Sequence, residues 1–455
     1  MELADATRRA ERLLVPAAFV TALGNNVQLI AGALLMIRSD KTMLSVGLLF
    51  IAVAVPQAVL SPYFGRLADR YDRRRLWIGC DATSAVLALA LPVWLTLGGA
   101  KGPGVYAANF ALAVVAALFF PASNAMIKER VRASQVRRFT ANYEMATQAG
   151  MLMSATVGGL LVQRLGASPL LVFNAGTFVV SALLVGSVGA LPRKVEPEVK
   201  PEVEPRAESV ARTQISVGMA SLSSAVPGGQ PVPLVRLILL YAQGSVVVTV
   251  FNALLPKLVM GEWGRGAGLF GVVDAIGSLG FLAATVFYKV VGRRFGDLPI
   301  AVVGFLACNT VFVLQPQFGP GFLAIGVAIG AFTFGTARIA SRTLVMTSVD
   351  EAHVGRAFGL ANGGGLAATV VVMLGVAELT DHTDTRWGFA ATAVVSVAAA
   401  LAAGALLRGR LGSGGTGVAG GISDHGGSGD LPTGGPSAAG VCHIPANADV
   451  EVVTA

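Results

Sequence analysis

Charge is scarce in this chain. Lys, Arg, Asp and Glu together make up 13% of its 455 residues, about half the roughly 25% usual in soluble domains. Cysteine is scarcer still. Cys80, Cys308 and Cys442 lie far apart, two of them inside apolar runs, which suggests neither a disulfide framework nor a zinc site. Of the four histidines, His353 falls in a charged loop and His382, His425 and His443 fall outside the apolar runs. With no H-E-x-x-H and no nucleophile elbow, an integral-membrane enzyme has little machinery to work with. No G-x-x-x-x-G-K-[ST] occurs, and no hydrophilic segment is large enough for an ATPase domain, so direct ATP hydrolysis is not expected. No cofactor, metal or nucleic-acid partner is expected either.

What the chain does have is apolar residue, 54% of the total, gathered into continuous runs. Twelve fall near 13–37, 43–63, 77–98, 104–126, 139–163, 169–191, 233–257, 266–288, 298–314, 319–340, 357–378 and 387–407. About 20 residues is what a helix needs to cross roughly 30 Å of hydrocarbon. The runs lack period-2 alternation, which excludes a membrane barrel and leaves helices that bond their own backbone. The expected fold is an all-α polytopic membrane protein of twelve spans, with the lipid bilayer as its solvent. The first run is longer than a signal-peptide core and no A-x-A site follows, so it reads as a span.

Basic residues alternate from loop to loop. With the N-terminus inside, 27 of the 34 Lys and Arg fall on the cytoplasmic side and only Arg38, Lys41, Lys101, Arg164, Lys257, Arg265 and Arg386 outside. The positive-inside rule then places both termini in the cytoplasm of a cell membrane. The net charge of +8 is thus a topology signal.

The chain reads as two halves. Residues 1–191 hold six spans and 233–408 hold six more. Between them 192–232, containing "LPRKVEPEVKPEVEPRAE", has a Pro-Glu-Val repetition that cannot bury a core and reads as an extended tether. Residues 409–455 are Gly/Ser-rich and read as a disordered tail. "PASNAMIKERVRASQVRR" (121–138) parallels "IASRTLVMTSVDEAHVGR" (339–356), with Val136/Val354 and Arg138/Arg356 in step. Two pseudo-symmetric six-helix repeats predict alternating access around a central site.

The densest charge lies in "FGRLADRYDRRRL" (64–76), between spans 2 and 3. This stretch resembles the signature G-x-L-A-D-R-x-G-R-R of the major facilitator superfamily, matching at Gly65, Leu67, Ala68, Asp69, Arg70, Arg73 and Arg74 and departing at Asp72. The D-R-Y-D-R-R-R form, with "FFPASNAMI" (119–127) and "VFNAGTFVVSALL" (172–184), is similar to the branch of enterobactin-type siderophore exporters and macrolide efflux pumps. The resemblance implies the major facilitator fold and a cytoplasmic gate of Gly65, Asp69, Arg70, Arg73, Arg74 and Glu129. Physically, Gly65 and Ala68 permit a tight turn and close approach by a helix of the other half. Asp69 suits the N-terminus of span 11, near Ala357 to Gly359, and Arg73 suits Glu129. The alternative is that the arginines only anchor the loop at the interface.

Candidates for proton coupling are the rare intramembrane acids. Asp274, in "LFGVVDAIGSLG", shares a face with Ala267, Gly271 and Ser278; it binds proton or substrate, or is a structural hydrogen-bonded acid. Glu144 shares a face with Gln148 and Met151 near the inner mouth. Asp81 reads as a structural partner for the loop arginines. Candidate cavity residues are Asn25 and Gln28, one face with Gly32, then Gln148, and Ser245, Thr249 and Asn252 on span 7; the alternative is polar helix–helix glue. Antiporters of the superfamily carry G-x-x-x-G-P-x-x-G-G in span 5, whereas "GMLMSATVGG" (150–159) keeps small residues at Gly150, Ser154 and Gly158 without the proline. Arg338 and Arg342, at i and i+4, suit an anionic group or the interface.

The leading expectation is a proton-driven exporter of a hydrophobic or amphipathic small molecule (drug, natural product or siderophore), acting as a monomer. The alternative is a proton-coupled importer of a small nutrient. A receptor that binds without flux is the third reading.

Overall fold

A computed structural model of the chain describes residues 2–40, 43–165, 167–189, 223–224, 232–265 and 267–411. Twelve long helices account for almost all of them. In the first half they are α1 (Glu2–Asp40), α2 (Met43–Arg70), α3 (Arg73–Thr96), α4 (Lys101–Arg130), α5 (Val136–Leu165) and α6 (Ala167–Ser187). In the second half they are α7 (Leu234–Pro256, continued by a π-helical turn Lys257–Glu262), α8 (Ala267–Val291), α9 (Asp297–Leu314), α10 (Pro320–Ser348), α11 (Val354–His382) and α12 (Thr385–Leu411). A two-residue antiparallel ladder, Ser223–Ser224 with Val232–Pro233, precedes α7. Most of the predicted tether and tail lies outside the described residues.

Nine of the helices, α3, α4 and α6–α12, have the length and hydropathy to cross a membrane when the described residues alone are considered. Continuous Ala, Leu, Val and Phe leave such segments no water to bond, so the backbone closes on itself as helix. Helix ends follow the charged or turn residues. α2 and α3 are separated only by Tyr71 and Asp72, and Asp72 Oδ1 accepts the N–H of Arg75 at 2.8 Å as the N-cap of α3. The position where the sequence departs from the signature glycine thus gains a capping function. Gly65 and Ala68 do not make the turn, because α2 continues through both to Arg70. α10 opens at Gly319, with φ of +82°, followed by Pro320 at the first helical position.

The first six helices pack as α1 on α5 and α6, α2 on α4, and α3 on α4 and α6. The second six repeat the arrangement, with α7 on α11 and α12, α8 on α10, and α9 on α10 and α12. The repeated sequence segments fold alike. Each forms a single 3-10 turn (Ala133–Gln135 and Glu351–His353), and each is followed by a helix starting at the matched valine, Val136 or Val354.

The halves meet mainly through α2 on α11 and α5 on α8. Small residues allow the first contact. A Cβ on Gly65 would lie 2.5 Å from the Gly355 carbonyl oxygen, so only glycine lets the two backbones come this close. One apolar core belongs to both halves: Leu14, Trp77, Met126, Phe139 and Tyr143 pack with Tyr241, Val345 and Phe358. Phe358 meets Phe120 and Tyr241 edge-on, with ring centroids 6.1 and 5.7 Å apart. This shared core lies at the end of the molecule that carries the arginine-rich α2–α3 turn. Toward the opposite end the cores are separate, one around Val27, Leu49 and Leu171 and another around Val250, Phe312 and Phe389.

Candidate functional site

The sequence candidates divide between a closed, arginine-rich end and a cavity above it. At the closed end the Asp69 carboxylate accepts the N–H of Gly355 at 2.7 Å and of Arg356 at 2.9 Å. These are first-turn donors of α11, which lack intrahelical partners and attract negative charge. The contact falls two residues ahead of the expected Ala357. Burial pushes the Asp69 carboxyl above its ordinary value, while the two backbone donors and Arg73 pull it down.

Arg73 reaches the Glu129 carboxylate at 3.4 Å, the Glu351 carboxylate at 3.1 Å and the Glu351 carbonyl at 2.7 Å. It therefore bridges α3, α4 and the turn before α11. The neighbouring Arg74 does something else. Its guanidinium donates to the carbonyls of Val185 and Gly186 at the C-terminal end of α6, within the first half. Arg70 is exposed and has no hydrogen-bond or ion-pair partner among the described residues. Neither joins the halves as the gate grouping expected. Among the described residues Asp81 pairs with no arginine; it is 1% exposed and faces α6 beside Ser181 and Trp77.

A second cross-link mirrors the first. Where the α2–α3 region holds the start of α11, the α8–α9 region holds the start of α5: Arg137 donates to both Asp297 oxygens at 3.0 and 2.9 Å. Tyr288 holds the same carboxylate from α8 at 2.7 Å. The bidentate bond holds the Arg137 guanidinium's pKa above its ordinary value.

Above this closed end lies a cavity of ≈ 690 Å³ between the halves, walled by α1, α4, α5, α7, α8, α9 and α10. Its lining mixes aromatic side chains, with Phe119, Phe120, Phe251, Phe270, Phe281 and Phe334 among the walls, and polar ones such as Asn124, Thr147 and Gln315. Of the expected cavity residues, Asn25, Gln148 and Asn252 line it, as do both candidate acids, Glu144 and Asp274. Gln28 does not. It is 4% exposed and accepts from Asn174 Nδ2 at 3.1 Å, because its side chain is turned toward α6. Gly32 faces Asn109 and Leu49, so the expected α1 face splits among three neighbours. Ser245 and Thr249 are also not among the lining residues, which on α7 are Tyr241, Val247, Val248, Phe251, Asn252 and Leu255.

Glu144 forms part of the cavity floor. Its carboxylate meets Arg342 at 2.5 Å, with side-chain exposures of 12% and 5%, and Arg342 also donates to Asn124 Oδ1 at 2.7 Å. The guanidinium lies 4.5 Å over the Tyr143 ring. One residue of α10 is thereby tied to α4 and α5 across the molecule. Arg338, one turn earlier, stacks 4.1 Å over Tyr241 and donates to its carbonyl at 3.1 Å and its hydroxyl at 3.0 Å. Asp274 faces the cavity with no hydrogen-bond or ion-pair partner among the described residues.

On α5 the small-residue seam packs on α1. A Cβ on Gly150 would run into the Phe19 carbonyl, and Ser154 receives a hydrogen bond from Asn26. Gly158 lies outside the residues whose surroundings are described. Asn124, Tyr143 and Tyr241 escaped the sequence reading. The signal was there in part, since Asn124 lies in the repeated "PASN" segment opposite "IASR", but nothing local links it to an arginine in the other half.

Two pseudo-symmetric six-helix bundles around a central cavity closed at one end define a membrane transporter of the alternating-access kind. The chain belongs to the Major Facilitator Superfamily, whose family model matches residues 14–261 and 237–417. It is 22% identical over 358 residues to the uncharacterized MFS-type transporter YfiS of Bacillus subtilis (strain 168), covering 76% of this chain and 80% of that one. It is 28% identical over 204 residues to the multidrug efflux pump Tap of Mycolicibacterium fortuitum, covering 42% of this chain and 50% of Tap. Among solved structures it resembles a bacterial homologue of the iron transporter ferroportin in an outward-facing state, with a TM-score of 0.66 at 16% identity over 88% of this chain and 99% of that one. At that identity the likeness concerns the fold.

Proposed function

We propose that this transporter is a proton-coupled exporter of hydrophobic or amphipathic small molecules, working as a monomer in a bacterial cell membrane with its arginine-rich end in the cytoplasm. The observation that carries this reading is Asp274, a carboxylate on the wall of a cavity partly lined by phenylalanine, with no partner of its own among the described residues. Asp274 is exposed in this state and so open to protons and substrate, and a lone acid there becomes costly once the cavity closes around it with nothing bound. A proton and a cationic substrate group satisfy it equally well but not together, and that competition is what antiport requires. The phenylalanines hold an apolar body, and the amide and charged side chains between them anchor its polar groups. The partial likeness to Tap agrees with efflux.

In this reading the described conformation faces outward. Asp69, Arg73, Arg137 and the Arg342–Glu144 pair hold the cytoplasmic side shut, and protonation of Asp274 from outside favours the switch to an inward-facing state, where substrate displaces the proton. Exchanging one proton for one monovalent cation moves no net charge. The pH difference alone then drives it, and each pH unit sustains about a tenfold substrate gradient. Everted vesicles with an acidic lumen test the reading. Cationic dyes, macrolides or siderophores should accumulate inside, and nigericin, which collapses the pH difference, should abolish accumulation. Uptake from the outer face of right-side-out vesicles under an inward proton gradient would instead establish the importer.

A further inference from the structure

The cavity wall holds four charged side chains, and they do not pair off completely. Arg342 and Glu144 neutralise each other at the floor, with Asn124 taking a further N–H of the arginine. Two charges of opposite sign remain without a counter-ion among the described residues. Asp274 has no polar partner, and Arg338 bonds only neutral groups, the carbonyl and hydroxyl of Tyr241. A guanidinium carries five N–H donors. Those two bonds leave further N–H donors of Arg338 without an acceptor among the described residues, on a side chain that lines the cavity.

These two charges do not compensate each other, because they stand at different heights. α8 and α10 run parallel in contact: Gly277 meets Val327 and Ala331, and further along Ala284 and Phe281 meet Gly335. That register puts Asp274 about 12 residues short of Arg338 along α10, or about 18 Å at 1.5 Å per residue. Arg338 lies toward the closed end and Asp274 toward the other. Phe270, Phe281 and Phe334 stand on the same two helices, with Phe251 on α7.

A cavity with phenylalanines between a fixed cation at one height and a fixed anion at another complements a molecule with the opposite arrangement. We propose that the substrate is a dipolar amphiphile. Its acidic group (carboxylate, sulfonate or phosphate) is held by Arg338 on the Tyr241 platform, its apolar body lies against the phenylalanines, and its cationic end lies toward Asp274. This inference rests on the exporter reading for the role of Asp274 and adds an anion-recognition site that the reading does not need. It also changes the charge balance of transport. A net-neutral dipolar substrate exchanged for a proton moves one charge, so membrane potential as well as pH would drive its export.

Rhodamine B and its ethyl ester test the site, since they share the xanthylium cation and differ in the carboxylate. Binding to the purified full chain is read by fluorescence anisotropy, and flux in everted vesicles by dye accumulation. The wild type should bind the acid about tenfold more tightly than the ester, the discrimination expected of one charge-assisted hydrogen-bonded contact. Arg338→Gln should erase that preference, with the acid losing about tenfold more affinity than the ester. Arg338→Lys, which keeps the charge, should retain much of the preference and controls for folding. Asp274→Asn should weaken both dyes. An ester bound as tightly as the acid by the wild type, or a preference that survives Arg338→Gln, would overturn the anion site. Preferential binding of the acid without flux of either dye would support the Arg338 site and count against the exporter reading. Binding of neither dye by folded protein would count against both.

Discussion

Arg342 and Glu144, 198 positions apart in the chain, meet at 2.5 Å beneath the central cavity and join the two halves there. Both are nearly buried, so each depends on the other. Removing one member of a buried pair leaves an uncompensated charge, at a typical cost of about 3–5 kcal/mol, whereas replacing both with apolar residues is often neutral. Glu144→Ala should therefore lower the thermal midpoint of the purified protein clearly, and Glu144→Leu with Arg342→Met should recover most of the loss. A double variant as unstable as the single one would show that the pair is not what holds this region.

Asp69 is expected to act on the conformational balance more than on folding. Asp69→Ala leaves the Gly355 and Arg356 N–H groups without their acceptor, a loss of about 1 kcal/mol by analogy with helix N-caps. Spin labels at the exposed positions Arg70 and Arg293 report the separation of the halves at the arginine-rich end. The variant should populate longer distances than the wild type. An unchanged distribution would mean that the other cross-links suffice.

Gly65 makes a sharper version of the same prediction. Its missing Cβ is what lets α2 lie against the backbone of α11 at Gly355. Gly65→Val should prevent this end from closing, giving a protein that inserts in the membrane but does not transport. The same labels should show one population at long distance, and normal flux would contradict the packing argument.

Gln28 and Gln148 should respond in opposite ways. Gln28 is buried against Asn174, so Gln28→Leu leaves the Asn174 amide unpaired and costs about 1–3 kcal/mol of stability without altering substrate preference. Gln148 lines the cavity, so Gln148→Leu should shift relative transport of polar and apolar dyes with little effect on the thermal midpoint. A panel of dyes and one melting curve for each variant decide the matter.

These cases show where the sequence was readable. Helix positions were, because a run of about 20 apolar residues is a local property. The α2–α3 turn was readable as a charged bend, and Asp72 gave no hint of its capping role until the helix start was known. Which way each side chain turns was much less readable. Arg73 and Arg74 are neighbours, yet successive helical residues point about 100° apart, so one reaches Glu351 and the other the end of α6. Asn25 and Gln28 looked like one face, but the packing of α1 between α4, α5 and α6 sends the first into the cavity and the second away from it. Pairings such as Arg342 with Glu144 join distant segments, and no local pattern in one sequence encodes them.

The most direct measurement of the account is proton release evoked by substrate. Everted vesicles carry a preformed inside-acid gradient, and its dissipation is followed as transported dye is added to wild type and to Asp274→Asn. Coupling through Asp274 predicts dye-evoked proton release in the wild type and none in the variant, with both proteins present in the membrane at equal level. Release that persists in Asp274→Asn would contradict the assignment and move the coupling carboxylate to Glu144 or elsewhere.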